Sequence, residues 1–261
     1  MDSYELRFSG IARLYGRTAW QKLRTARCAV IGIGGVGSWA AEALVRSGIQ
    51  HVTLIDLDDI CITNTNRQLH TLHHTIGEPK VSAMATRLQA INPDATIISV
   101  QDFFTAQTAD TLLRDGFDVI IDAIDSTKNK CLLIAACRER GIPLVSVGGS
   151  GGRSDPSQIR MADLSETTND ALLRQTRRHL RTHFQFPSEG PLGVRAVYSL
   201  ESPVYPGKDG EICTVREPSS QARLDCDGGY GSASFVTGSF GFAAASAAIK
   251  IVATLPAINC K

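Results

Sequence analysis

The sequence carries almost no net charge: 27 basic against 26 acidic residues leave a formal +1. A chain so balanced has no global field drawing it onto nucleic acid or membrane, so any polyanion site must be a local patch. Its seven cysteines (28, 61, 131, 137, 213, 226 and 260) include no CxxC pair, so the thiolate pairs of a structural zinc site are missing. An odd, scattered set of this kind reads as the reduced thiols of a cytoplasmic protein. Residues 1–16, MDSYELRFSGIARLYG, lack the basic-then-apolar layout of a secretory signal. Internal repeats and low-complexity tails are missing too. One uncharged run stands out, GGYGSASFVTGSFGFAAASAAI at residues 228–249, whose 22 positions are long enough to span a bilayer. It is mostly Gly, Ser and Ala, with too little Leu, Ile and Phe to face lipid, and Lys250 follows at once. It is expected to be a buried helix on a sheet or at a subunit interface, and a membrane partner is not expected.

What is present is an ordinary globular composition, 43% apolar and 20% charged over 261 residues, with ample material for a core. Residues 4–26 read as short helical pieces. From about residue 27 to 149, strands and helices alternate: strands CAVIGIG, HVTLIDLD, ATIISVQ, FDVIIDAID and IPLVSVGG, with helices between them. That alternation predicts an α/β fold, a Rossmann-like, doubly wound, mostly parallel sheet. Past it, GGSGGRSDPSQ is a turn region, NDALLRQTRRHLRTHFQ a basic helix, and residues 194–216 extended, antiparallel-type pieces before the small-residue helix. The chain reads as one domain over residues 1–261, with a nucleotide-binding core at 27–149 and a substrate or dimer part at 150–261.

Gly32, Gly34, Gly35 and Gly37 form a GxGxxG loop between a strand and a helix. Glycines let backbone approach phosphate closely, and the helix N-terminus offers free N–H groups and a positive dipole end. Asp56 ends the next strand at the ~20-residue spacing where a carboxylate meets ribose hydroxyls. The motif alone makes NAD the default, and a purely structural loop is the plain alternative.

Three later features have no job in a dehydrogenase. Asn64 and Arg67, in TNTNRQLH, could share one face of a turn and reach phosphate oxygens; alternatively they belong to a polar loop with a helix cap. Lys80 opens a helix, where it opposes the dipole, so it makes better sense facing an anion than as a solvated lysine. Asp122 and Asp125, in DAID, end a buried strand where open α/β sheets place their sites. A carboxylate beside a triphosphate repels it unless a divalent cation lies between, so Asp125 points to Mg²⁺; Asp122 reads equally as a loop-organising acceptor.

Together GIGGVG, LIDLDD, NTNRQ, GEPK and DAID resemble the ubiquitin-activating-enzyme-like superfamily, the adenylating proteins related to the activators of molybdopterin and thiamine sulfur carriers, over roughly residues 5–150. The resemblance implies a homodimer that uses ATP and Mg²⁺ to make an acyl adenylate. Asp56 would then hold the ribose, Asn64, Arg67 and Lys80 the phosphates, and Asp125 the metal, with Asp58 in the same site. RFSGIARLYG, ITNTNRQLH, YP…DG…C and LDCDGGYGSASFVTGSFGF extend the resemblance over nearly the whole chain, to a branch acting on threonylcarbamoyladenosine in tRNA. That branch implies activation of the threonine carboxylate, then ring closure onto the carbamoyl group with release of AMP. Adenylation of a sulfur-carrier protein's C-terminus is the rival, and NAD-dependent redox a distant third. A monovalent cation (Na⁺ or K⁺) and a cysteine desulfurase or sulfur-acceptor partner stay open. The superfamily's trans-acting arginine, four positions into an RYxRQ segment, falls on Gly10 when Arg7 takes the first place; Arg13 is the substitute.

Arg67, Lys80 and Asp125 are thus the expected catalytic set, acting by positioning and electrostatics. Intramolecular attack needs no enzyme nucleophile, so Cys226 reads either as a thioester or persulfide site or, with Asp225 and Asp227 disfavouring its thiolate, as a bystander. Cys131 and Cys137 read as core. Arg174, Arg178 and Arg181 form a basic stripe on one helix, either a tRNA-phosphate face or a solvated surface.

Overall fold

The computed structural model describes residues 2–114, 116–207, 209–215 and 230–254. Helices α1 (Ser3–Tyr15) and α2 (Arg17–Thr25) precede β1 (Arg27–Ile31), α3 (Gly37–Arg46), β2 (His51–Ile55), α4 (Lys80–Ile91), β3 (Thr96–Val100), α5 (Ala109–Leu113), β4 (Val119–Asp122), α6 (Thr127–Arg140) and β5 (Leu144–Val147). There follow β6 (Ile159–Asp163), α7 (Ala171–His183), β7 (Arg195–Ser199), the short pair β8 (Tyr205–Pro206) and β9 (Ile212–Cys213), and α8 (Ser234–Thr254).

Seven strands form one sheet in the order β3-β2-β1-β4-β5-β7-β6. Every pairing is parallel except β6 with β7. The strands are short and apolar because both faces are covered: Cys28 and Val30 of β1 enter the core under α3 and α8, while Ala29 and Ile31 enter the core under α5 and α6. The order reverses at β1, and open α/β sheets bind ligands beyond the carboxyl ends of the strands at such a reversal.

The parallel α/β expectation holds, with two refinements. Among the described residues of 194–216, β7 joins the main sheet parallel to β5, and only β8 and β9 form a separate antiparallel pair. The antiparallel partner of β7 is β6, in a stretch that carries no strand signal. Its IRMAD sequence lies at the sheet edge with Arg160 and Met161 exposed, so it lacks the apolar run of a central strand.

The small-residue helix begins at Ser234, later than the run from 228 suggests, and continues to Thr254. By length and composition α8 could cross a membrane. Here it packs on α3, α2 and the sheet at β4 and β5. Its small residues permit that closeness: a Cβ on Gly241 would lie 2.7 Å from the Val36 carbonyl oxygen and 2.8 Å from Trp39 Cβ.

Candidate active site

The glycine loop joins β1 to α3 and divides by role. Gly32 has φ +89°, and a Cβ there would sit 2.7 Å from the Ala123 carbonyl oxygen; one on Gly37 would sit 1.8 Å from that of Gly32. These two glycines shape the turn against β4 and α3. Gly34 faces space, the nearest atom to a Cβ there being Gln68 Nε2 at 3.9 Å, whereas Gly35 is packed closely, a Cβ there meeting Thr237 Cγ2 at 3.3 Å and Arg67 Cγ at 3.5 Å. Among the described residues, the N–H groups of Gly34, Gly35 and Val36 have no hydrogen-bond acceptor. Free donors at a helix start, with room for a close approach, make an anion cradle.

Asp56, just past β2, is tied to this loop. Its Oδ2 accepts from the Ile33 N–H at 2.6 Å and its Oδ1 from the Asp58 N–H at 2.9 Å. Burial raises its pKa above the ordinary carboxylate value, against the pull of Lys80 and of those two donors. Lys80, at the first position of α4, is buried and does face an anion, but an internal one: Nζ lies 2.6 Å from Asp58 Oδ2 and 4.0 Å from Asp56 Oδ1.

The TNTNRQLH stretch is a 3₁₀ turn, Ile62–Asn64, followed by a tight loop. Buried Asn64 caps it, its Oδ1 accepting from the Cys61 N–H at 3.0 Å. Arg67 curls back, Nη1 donating to the Thr63 carbonyl at 2.8 Å and to Asn66 Oδ1 at 3.0 Å. Its carbonyl accepts from Trp39 Nε1 and Thr237 Oγ1, both at 3.1 Å, which pins the turn to α3 and α8 beside Gly35.

At the end of β4 the two aspartates part. Asp122 is fully buried and paired with buried Lys130 at 2.8 Å; it also accepts from Ser146 Oγ at 2.7 Å and the Ile124 N–H at 3.1 Å. It is the loop organiser. Asp125 is exposed, with no hydrogen bond or ion pair among the described residues. No group of three His, Cys, Asp or Glu side chains is poised for a metal among those residues. A cation here would rely on Asp125 and on phosphate oxygens, the way Mg²⁺ usually binds.

On α7, Arg174 and Arg178 are exposed, while Arg181 is partly held by the carbonyls of Pro187 and Gly190 at 3.1 and 3.4 Å. Among the described residues the stripe is therefore two free arginines and one anchored. Arg177, off the stripe, binds Thr167 and the Leu164 carbonyl. Gln175 Oε1 accepts from Thr127 Oγ1 at 3.2 Å, which sets this helix beside the loop that carries Asp125. Cys131 and Cys137 are core residues, burial raising their thiols to about 11 and about 12. Cys226 lies outside the described residues. Gly10 and exposed Arg13 sit together on α1.

Sequence reasoning missed two buried groups. Nothing in the sequence singled out Lys130, which lies fully buried against Asp122. His70 ends the TNTNRQLH stretch, yet nothing in its spacing announces its bond to the glycine loop, Nε2 to the Ile33 carbonyl at 2.8 Å.

A model of the ThiF family matches residues 8–260. The chain is 47% identical to the tRNA threonylcarbamoyladenosine dehydratase of Escherichia coli strain K12, over 95% of this chain and 94% of that protein. It superposes on the structure of E. coli tRNA N6-threonylcarbamoyladenosine dehydratase in complex with ATP with a TM-score of 0.85, at 44% identity, covering 97% of this chain and 96% of that one. The AMP complex of that enzyme gives a TM-score of 0.86 with the same identity and coverage.

Proposed function

We propose, from the premise that this chain belongs to the ThiF family, that it is an ATP-dependent enzyme that dehydrates N6-threonylcarbamoyladenosine in tRNA to its cyclic form. The observation that carries the reading is the cradle of unpaired N–H groups at Gly34, Gly35 and Val36, flanked by Asp56, Lys80 and the unpartnered Asp125. These groups fit a nucleotide triphosphate; a nicotinamide would leave Lys80 and Asp125 without a task.

In this reading Asp56 takes the ribose, and Asn64, Arg67 and Lys80 take the phosphates. Asp125 takes Mg²⁺, which would neutralise phosphate charge. The threonine carboxylate oxygen attacks the α-phosphorus, forming the acyl adenylate and expelling pyrophosphate. The carbamoyl group of the same substrate then attacks the activated carbonyl carbon and expels AMP. Because nucleophile and electrophile share one molecule, their effective concentration is high and no protein nucleophile is required. Arg174 and Arg178 are the phosphate-contacting face for tRNA, and residues 150–261 supply the substrate and dimer surfaces of a homodimer in which Arg13 acts across the interface.

ATP–pyrophosphate exchange is the test. Exchange that requires tRNA bearing threonylcarbamoyladenosine is the expected result, and Lys80→Ala or Asp125→Ala should abolish it. Exchange that requires instead a Gly-Gly-ended carrier protein would overturn the substrate assignment, and full exchange in both variants would overturn the site.

A further inference from the structure

We propose that His70 is a positioning residue for nucleotide binding, holding the Ile33–Gly34 peptide so that the Gly34 N–H is presented to phosphate. This rests on the proposed function, in which ATP lies on the glycine loop. His70 is 2% exposed, and its Nε2 lies 2.8 Å from the Ile33 carbonyl oxygen. A carbonyl can only accept, so Nε2 carries the proton. The described chain has no cis peptide, and across a trans peptide the C=O and the following N–H point in opposite directions. Fixing the Ile33 oxygen on the imidazole therefore turns the Gly34 N–H away from it, and that N–H has no acceptor among the described residues. The other end of Ile33 is held as well, its N–H given to Asp56 at 2.6 Å. Two bonds, one on each side of a single residue, bar this part of the loop from rotating.

The state of the ring supports the assignment. Burial holds the His70 pKa below its ordinary value and the nearby charge of Lys80 pushes the same way, so the imidazole is neutral and Nδ1 is a bare acceptor. Nδ1 is buried with no partner among the described residues, as are Gln68 Oε1 and Thr71 Oγ1 in the same short stretch. Leaving buried polar atoms unpaired costs stability, and native chains do it rarely. An apolar side chain would avoid that cost here. What the histidine adds over one is the bond from Nε2 to the loop.

The experiment compares wild type, His70→Gln, His70→Leu and His70→Asn, full chain throughout. ATP binding in the presence of Mg²⁺ is measured by calorimetry, alongside kcat, KM for ATP and thermal unfolding. The glutamine amide places a donor near the Nε2 position; the asparagine amide is too short and leucine has no donor. Losing a partner of a buried acceptor should weaken ATP binding and raise its KM by about tenfold in His70→Leu and His70→Asn. His70→Gln should stay within about threefold of wild type, and kcat at saturating ATP should move less than about threefold in every variant. If Leu is too disruptive to fold, Asn carries the comparison with Gln. A fall in melting temperature with unchanged ATP affinity overturns the proposal, since that is what a merely structural histidine would give. Equal weakening in Gln and Asn overturns it too. A wild-type chain that binds no ATP overturns the glycine-loop reading itself, and this inference with it. A wild type that binds ATP while His70→Asn binds it equally well overturns the His70 role alone.

Discussion

Replacing Lys130 by methionine should destabilise this protein by about 3–5 kcal/mol, the usual cost of removing one partner of a buried ion pair. Lys130 and Asp122 are both fully buried, with Nζ 2.8 Å from Oδ2. Nζ also reaches the Asp122 carbonyl and Ser146 Oγ, each at 3.4 Å. Methionine replaces most of the stem, so packing changes little; what is lost is the cation. Asp122 would keep only two neutral donors, Ser146 Oγ and the Ile124 N–H. An unfolding entropy of about 2.1 cal/mol/K per residue, over 261 residues, gives roughly 0.55 kcal/mol per degree. The melting temperature should therefore fall by roughly 5–9 °C in scanning calorimetry or by circular dichroism. Adding Asp122→Leu should recover most of the loss, because an apolar pair of similar volume is often no less stable than a buried ion pair. A single variant melting within about 2 °C of wild type would refute the argument from uncompensated charge. A double variant as unstable as the single one would assign the loss to packing.

The glycines should separate by role. Gly37→Ala, with a Cβ 1.8 Å from the Gly32 oxygen, should cost more than about 3 kcal/mol of stability in denaturant unfolding, whereas Gly34→Ala should unfold like wild type yet lose about tenfold or more in calorimetric ATP affinity. Arg174→Glu with Arg178→Glu should weaken tRNA binding and flatten its dependence on log salt by about 0.7–0.9 for each phosphate no longer neutralised; an unchanged slope would remove α7 from the tRNA face. Because burial lowers the His70 pKa, the unfolded chain takes up its proton first, so stability from this group is present above the unfolded value near 6.5 and is lost as pH falls below it. Wild type should consequently lose more stability than His70→Gln between about pH 6.5 and 5, by at most ~1.4 kcal/mol per pH unit.

The parallel core was legible because its chemistry is repetitive. CAVIGIG and FDVIIDAID are short apolar runs alternating with helices, the pattern of strands in a parallel sheet, and the glycine loop follows the first of them. β6 was not legible, since an edge strand with Arg160 and Met161 in solvent gives neither alternation nor an apolar run. Among the site residues, the sequence marks Asp56, Lys80 and the glycines as neighbours by their positions at strand ends and helix starts. It cannot say which carboxylate a lysine will meet, and here that depends on how the loop after β2 folds back over α4. His70 was invisible for the same reason: a histidine in a polar loop becomes a backbone anchor only through tertiary placement. Arg67 shows the limit from the other side, a residue at the expected place whose Nη1 is occupied by its own turn.

That occupation raises the question of what the two cations give up to reach a phosphate. Lys80 must leave Asp58, whose side chain is 54% exposed. Solvent at the Asp58 end screens the pair towards the roughly 1 kcal/mol of exposed ion pairs, so in the proposed reading the exchange is cheap against a triphosphate carrying several charges. If Lys80 takes the phosphates as proposed, Asp58 would be a placeholder that keeps a buried lysine satisfied until nucleotide arrives, and its negative charge would oppose the incoming phosphates. Asp58→Asn should tighten ATP binding by up to about fivefold, the equivalent of that 1 kcal/mol, while Lys80→Ala should weaken it. Calorimetric titration of both variants decides the matter. A loss of tenfold or more in Asp58→Asn would mean that this carboxylate itself contacts the nucleotide, and the placeholder argument would fall. Asp56 is no such placeholder, because its oxygens already accept from two backbone N–H groups, of Ile33 and Asp58, and releasing it would loosen the loop on which the phosphates are to sit.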